Sequence, residues 1–307
     1  MELDVRAEKI INKRGIKMFY EFLRFPGGKP KAITLSYDDG CRDDIRFSET
    51  INRYGLKCTF NINSGFIAKT ENERCLTADE MKKYIIDIGN EIAVHGDYHR
   101  APGKQRPIEG IKDVLNCRIK LEQLFGTIIR GMAYPDSGIH DFQNNANYEC
   151  VREYLKDLGI VYARSLCGDN DGFKLPADWY NWIPTAHHNN KNIFAYIDKF
   201  NNRVLTDETY ISHREPWLFY LWGHSFEFRH ADNWEHLEDI CQKLSGKDDV
   251  WYATNIEIYD YVNAYYSLIH SADGNVIFNP TIYDIWIEID RKTYCIKSAE
   301  TLIISKS

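Results

Sequence analysis

Short apolar runs alternate with longer stretches in which apolar residues recur at helical spacing. The runs predict strands at Ala32–Tyr37, Lys57–Ile62, Glu91–Val94, Ile128–Tyr134, Ile160–Ala163, Trp182–Thr185, Trp217–Trp222 and Val250–Ala253. Between them the spacing predicts helices. Ile108–Phe125 places apolar residues at 108, 111, 114, 115, 119, 121 and 124, and Gly126 ends it. Trp234–Leu244 repeats the pattern and Gly246 closes it. Asp79–Ile88 starts behind Thr77, with Glu80 three residues on to complete a capping box. Strand and helix alternating seven or eight times predict a parallel sheet closed as a barrel, a fold whose chemistry sits where strands end and loops begin.

The last part of the chain follows a different rhythm. Val276–Phe278, Ile282–Ile289, Thr293–Ile296 and Thr301–Ile304 are short β runs, separated by turn signals at Asp273-Gly274 and Asp290-Arg291-Lys292. They predict a small C-terminal antiparallel β unit that packs on the barrel. The expected organisation is therefore an N-terminal extension at 1–29, a barrel at 30–270 and a β appendage at 271–307.

Composition narrows the function classes. The net charge of −7, with no basic run, argues against a nucleic-acid partner. The longest apolar run, Trp217–Trp222, is far too short to span a bilayer. Met1–Arg6 lacks the basic-then-apolar order of a secretory signal, so the expectation is a cytoplasmic protein. The eight cysteines form no C-x-x-C pair, so neither a zinc ribbon nor a thioredoxin-type site is indicated, and free thiols are expected. Composition leaves the oligomeric state open.

Three strand ends carry reactive groups. Ala32–Tyr37 runs into Asp38-Asp39-Gly40, Glu91–Val94 into His95-Gly96-Asp97-Tyr98-His99, and Trp217–Trp222 into Gly223-His224. Two adjacent carboxylates at the end of a buried strand repel unless a positive group lies beside them. A dication supplies it. One Asp and two His form a three-ligand set that leaves a coordination position open, a set suited to Zn²⁺ first and acceptable to Ni, Co or Fe. Gly96, where a helical zinc-protease motif has Glu, points to a loop rather than a helix.

These stretches carry a resemblance. Ser36-Tyr37-Asp38-Asp39-Gly40 is similar to a T-F-D-D-G motif, and His95-Gly96-Asp97-Tyr98-His99 to H-[ST]-x-x-H. Met132–Gly138 resembles an A-Y-P-x-G turn, and Leu221-Trp222-Gly223-His224 an L-x-x-H motif. In this order, over about residues 30–255, the chain resembles the polysaccharide deacetylases of the NodB-homology type, carbohydrate esterase family 4. The resemblance implies a distorted (β/α)7–8 barrel. It assigns Asp39, His95 and His99 to the metal, Asp38 to the general base and His224 to the general acid. It also assigns the backbone N–H of Tyr134 to the oxyanion.

The chain departs from the pattern in places. Gly96 stands where the family has Ser or Thr, so the loop needs another support. Arg130 lies one residue too far from Tyr134 for the arginine that tethers the catalytic Asp, and Asp178 is a candidate to orient His224. His187 and His188 follow another predicted strand; they line the pocket or form a structural pair. Glu227 orients pocket groups or is a solvated loop carboxylate. Trp222, with Trp179, Tyr180, Trp182 and Trp217, offers sugar-stacking platforms or core packing. Three functions follow: metal-dependent removal of acetyl groups from N-acetylated (or O-acetylated) carbohydrate, hydrolysis of a non-sugar C–N bond on the same fold, or carbohydrate binding by an inactive site.

Overall fold

The computed structural model describes residues 20–71, 73–166 and 172–304. Most of the expected N-terminal extension and Cys167 lie outside the described residues. The strands are β1 (Glu21–Arg24), β2 (Lys31–Asp38), β3 (Cys58–Ile62), β4 (Glu91–Val94), β5 (Gly131–Ala133), β6 (Tyr162–Arg164), β7 (Ala186–His187), β8 (Trp217–Gly223), β9 (Val250–Tyr252), β10 (Ile269–His270), β11 (Val276–Phe278), β12 (Ile285–Ile289), β13 (Lys292–Ile296) and β14 (Thr301–Ile303). The chain divides into two compact units.

The first unit, residues 32–203 and 217–259, holds one curled sheet in the order β6-β5-β4-β3-β2-β8-β7, with β9 also on β2. The pairings β2–β3, β3–β4, β4–β5, β5–β6 and β7–β8 are parallel. The stretch read as a strand at Trp182–Thr185 joins the two edges: Trp182 bridges Arg164, while β7, just beyond, lies on β8. The sheet is thus a distorted half-barrel of the expected type, one irregular segment short of closure.

Alternation explains its two faces. Ile33, Leu35, Tyr37, Phe60 and Phe219 belong to the apolar core outside the sheet. The core includes Phe47 and Ile51 of the helix Asp43–Arg53 and Val114, Cys117 and Leu121 of the helix Pro107–Phe125. With a side-chain period of two, Thr34, Ser36 and Asp38 of β2 face the other way. There they meet a polar network: Asn61 Nδ2 donates to Ser36 Oγ and to Asp38 Oδ1, both at 2.8 Å, and Thr34 Oγ1 donates to Asn255 Oδ1. A strand buried on both faces still alternates, because the barrel interior is hydrogen-bonded rather than oily.

Several predicted elements fall where the pattern placed them. Pro107–Phe125 ends at Gly126 in the left-handed region (φ 63), and Trp234–Leu244 keeps its bounds. The capping box at Thr77 and Glu80 is present, although the α-helix stops at Met81 and continues as a π-turn to Ile86. β5 is shorter than the apolar run Ile128–Tyr134 because its ladder with β6 begins only at Gly131.

The second unit holds, among the described residues, 20–31, 204–216 and 260–304. The tail forms two three-stranded antiparallel sheets, β1-β12-β13 and β10-β11-β14, rather than one. The β12–β13 hairpin turns at Asp290 (φ 46) and Arg291 (φ 71), two positive-φ residues that suit the strand twist. Buried Glu288 of β12 is clamped by Arg24 of β1 at 2.8 Å and Arg214 at 2.5 Å.

Candidate active site

The ends of β2, β3, β4, β6 and β8 point at one place. Asp38 is the last residue of β2 and faces the interior. Asp39, the next residue, has left the strand with φ 82. His95 follows β4, and His99 closes its loop with φ 56. Positive φ at two non-glycine residues is strain held by the surroundings, a feature of functional loops.

The supports are visible. Asn63 Nδ2 donates to the carbonyls of His95 and Gly96. Ser64 Oγ donates to Asp97 Oδ1 at 2.6 Å, and the N–H of Tyr98 donates to Asp113 Oδ1 at 3.2 Å. Gly96 has φ 75, and a Cβ there would lie 2.4 Å from Asp113 Oδ2. The departure at Gly96 is thereby explained: the Asp113 carboxylate from the helix Pro107–Phe125 occupies the space of a side chain and steadies the loop.

Asp39, His95 and His99 each bring one ligand atom within 4.8 Å of the others. Asp39 Oδ1 lies 3.8 Å from His95 Nε2 and 3.6 Å from His99 Nε2. The His95 ring is 1% exposed; its Nδ1–H donates to the Ala133 carbonyl at 2.9 Å, which leaves the Nε2 lone pair facing the cluster. Among the described residues no hydrogen-bond partner meets that buried Nε2. A buried, unpartnered imidazole nitrogen, oriented through its other nitrogen and facing a carboxylate and a second imidazole, fits a divalent metal.

Asp38 stands beside this set, with Oδ2 3.9 Å from His95 Nε2 and 4.0 Å from His224 Nε2. Its tether is Arg164, at the end of β6, whose Nη2 lies 2.5 Å from Asp38 Oδ2. Both side chains are buried. Burial pushes the Asp38 carboxyl up, but Arg164, His95, His224 and the Asn61 hydrogen bond more than offset it and hold it below its ordinary range. Arg130 sits at the start of β5, where its carbonyl accepts the N–H of Val161. The sequence offered Arg130 for the tether because it lies near Tyr134; the strand order brings Arg164 instead.

His224 is oriented by Glu227. Its Nδ1–H donates to Glu227 Oε1 at 2.9 Å. Burial pulls the His224 pKa down, yet the Glu227 hydrogen bond and the charges of Asp38 and Asp39 outweigh it, so the ring holds its proton more tightly than usual. Glu227 is also 3.0 Å from His188 Nε2 and 3.3 Å from His187 Nε2, and accepts from Asn189 Nδ2 at 2.9 Å. Tyr37 Oη lies 3.1 Å from His188 Nδ1, and the N–H of Asn189 donates to His187 Nδ1. Both Nε2 atoms stand within ion-pair distance of the Glu227 carboxylate, although among the described residues His188 Nε2 has no aligned hydrogen-bond partner. The two histidines therefore flank the carboxylate that holds His224. Asp178 is occupied elsewhere, by Tyr148 Oη and the N–H of Tyr180.

Two expectations change. The N–H of Tyr134 donates to the Arg164 carbonyl at 2.9 Å, in the β5–β6 ladder, so it is already committed and not free to hold an oxyanion. Trp222 carries the Arg164 guanidinium 4.6 Å from its ring centroid and meets His187 edge-on, so its ring braces these two side chains. Trp182 is buried against Tyr162 and Tyr220, and Trp217 stacks on Phe173, as packing residues. The exposed aromatics beside the site are Phe66 and Tyr98, which meet edge-to-face with centroids 6.0 Å apart. They line a cavity of about 810 Å³ together with Asp39, His99, Lys69 and Arg74. Tyr98 lies inside the H-x-x-x-H stretch and was open to recognition from there; Phe66 carries no such signal.

With His224 taken as a general acid, Glu227→Gln is expected to lower turnover by part of the ~10²–10⁴-fold that such a group contributes. Without the carboxylate His224 loses its proton at lower pH. Activity that needs imidazolium falls as pH rises through that pKa, so the alkaline limb of the pH–rate profile should move down. An unmoved limb would show that Glu227 only braces the loop.

Among the described residues no helix is long and apolar enough to cross a membrane. No curated protein sequence matches this chain. Solved structures do. A Mycobacterium smegmatis protein assigned as a polysaccharide deacetylase superposes with a TM-score of 0.52 at 15% identity, over 80% of this chain and 94% of that one. A family 4 carbohydrate esterase from Streptomyces lividans, in complex with acetate, gives 0.45 at 14%, over 73% and 93%. The Streptococcus pyogenes deacetylase PplD gives 0.38 at 16%, over 44% of this chain, which spans only 55% of that one. The Mycobacterium match supports the fold. The family model described as polysaccharide deacetylase matches residues 6–163, just over half of the 307, and takes in the Asp38-Asp39 and His95–His99 stretches and Arg164's neighbour strand β5. On that match the chain belongs to the polysaccharide deacetylase family, hydrolases of carbon–nitrogen bonds other than peptide bonds.

Proposed function

We propose that the protein removes acetyl groups from N-acetylated (or O-acetylated) carbohydrate, with a divalent metal, zinc first, held by Asp39, His95 and His99. The observation that carries this reading is the buried His95 ring, whose unpartnered Nε2 faces Asp39 and His99. The donor set of two imidazoles and one carboxylate suits Zn²⁺ and is acceptable to Ni, Co or Fe. Bound there, a dication supplies Lewis acidity and lowers the pKa of water from ~16 to ~7.

The chain's own groups supply the proton transfers. Asp38 is kept ionised by Arg164 and lies beside His95, placed to accept a proton from the attacking water as general base. His224, charged through Glu227, presents Nε2–H toward Asp38 and the space above it. An amine leaves poorly unless protonated, so His224 is the acid. The Tyr134 amide plays no part in this reading. The exposed rings of Phe66 and Tyr98, beside the cavity that Asp39 and His99 also line, suit the apolar face of a sugar.

The test is acetate release from a panel of acetylated oligosaccharides, with protein stripped by chelator and reloaded with zinc. Release that disappears on stripping and returns on reloading is expected. Turnover of small amides with no acetylated sugar accepted would move the substrate to a non-sugar C–N bond. Metal bound without turnover of either class would overturn the deacetylase reading.

A further inference from the structure

Two cysteines face each other in the wall of the cavity. Cys41 comes two residues after Asp39, and Cys75 lies on the segment that runs back past it. The N–H of Arg42 donates to the Arg74 carbonyl at 3.0 Å, and the N–H of Leu76 donates to the Gly40 carbonyl at 2.9 Å. These two bonds flank Cys41 and Cys75 and do not join them. The cysteines are therefore the non-hydrogen-bonded pair of an antiparallel bridge. In such a pair the Cα atoms are about 4.5 Å apart and both side chains stand on one face. A disulfide accepts Cα separations of roughly 4.4–6.8 Å.

The surroundings agree with that register. Both cysteines are thiols here, and both line the cavity of about 810 Å³. Cys41 is 3% exposed and Cys75 is half-buried, so a small reagent meets Cys75 first. Cys41 Sγ rests 3.1 Å from Ser225 Oγ and 4.0 Å from Asp44 Oδ1, two contacts it gives up on pairing with Cys75.

We propose that Cys41 and Cys75 are a redox-convertible pair that closes a cross-strand disulfide by exchange with a low-molecular-weight disulfide. Cys75 gives its proton to solvent, and its sulfur attacks the small disulfide. That S–S bond breaks and one small thiolate leaves and is protonated. Cys41 then attacks the Cys75 sulfur of the mixed disulfide, and its proton passes to the second small thiolate as that group leaves. The two cysteines are oxidised, and one small disulfide is reduced to two thiols. The new bond ties the stretch that carries Asp39 to Arg74–Leu76 and takes Cys41 away from Ser225. None of this depends on the deacetylase reading.

The test uses the full chain and 2-hydroxyethyl disulfide. After incubation and acid quench, free thiols are alkylated in denaturant and peptides are mapped without reduction. In most chains a peptide pair joined through Cys41 and Cys75 is expected, lost on treatment with dithiothreitol, with the other cysteines alkylated. Cys41→Ser should stop at a hydroxyethylthio adduct on Cys75, and Cys75→Ser should leave Cys41 as a free thiol. Alkylation of both residues in the wild-type chain, a lasting adduct on wild-type Cys75, or cross-links to other cysteines would overturn the pairing. The wild-type map decides the matter even if a variant fails to fold.

Discussion

His95→Ala is expected to abolish metal binding at the site and to lower turnover by ~10³-fold or more, since it removes the source of a neutral-pH nucleophile along with a ligand. The loss should exceed that of Glu227→Gln, which leaves the ligand set whole. His95 is buried, its Nδ1 is fixed by Ala133, and among the described residues nothing meets its Nε2 except the cluster. Alanine there opens a polar hole next to Asp39. Asp39→Asn is the gentler companion variant, close in shape and poorer as a ligand. Metal content and acetate release should fall together in both. A His95→Ala chain that keeps its metal and most of its activity would remove the site from the chemistry.

Arg164→Met should lower both stability and activity. Asp38 and Arg164 Nη2 form a buried pair at 2.5 Å, and among the described residues Arg164 Nε and Nη1 have no hydrogen-bond partner. Removing one member of such a pair leaves a buried charge uncompensated, at a cost of about 3–5 kcal/mol. The sign of the pH dependence follows. In the wild-type protein the Asp38 pKa is held below its ordinary value, so its contribution to stability is present above the unfolded pKa of about 3.9 and is lost as pH falls through the folded one. In the variant, burial acts with less opposition and pushes Asp38 up. The stability gap should then be widest near neutral pH and narrow in acid, where Asp38 is protonated in both proteins. The acid limb of the activity profile should move to higher pH. Urea unfolding at pH 7 and pH 4 and a pH–rate profile would check this; an equal gap at both pH values would mean that Arg164 stabilises only through its packing on Trp222.

That Asp39, His95 and His99 come together was legible because each follows a readable strand. Asp38-Asp39 and His95–His99 are local in sequence, and β2 and β4 are apolar runs with clear ends. The tether was not legible. Arg164 is 126 residues from Asp38 and joins it only because β6 lies on the same curled sheet. Asp113 is similarly remote from the loop it supports, and nothing in Gly96 itself says which side chain takes the vacant space. The sequence favours a solvated loop carboxylate at Glu227, since i to i+3 proximity to His224 does not reveal that His187 and His188 stand beside it. The Tyr134 amide shows the opposite failure. Tyr134 is the last residue of the predicted run Ile128–Tyr134, but the run does not show that the ladder to β6 reaches it and uses its N–H.

X-ray absorption at the metal edge of the zinc-loaded protein tests the central claim most directly. Two imidazole nitrogens and one carboxylate oxygen at ~2.0–2.2 Å are expected, with one imidazole lost in His95→Ala. A shell without imidazole, or one unchanged by that substitution, would contradict the assignment of Asp39, His95 and His99 to the metal.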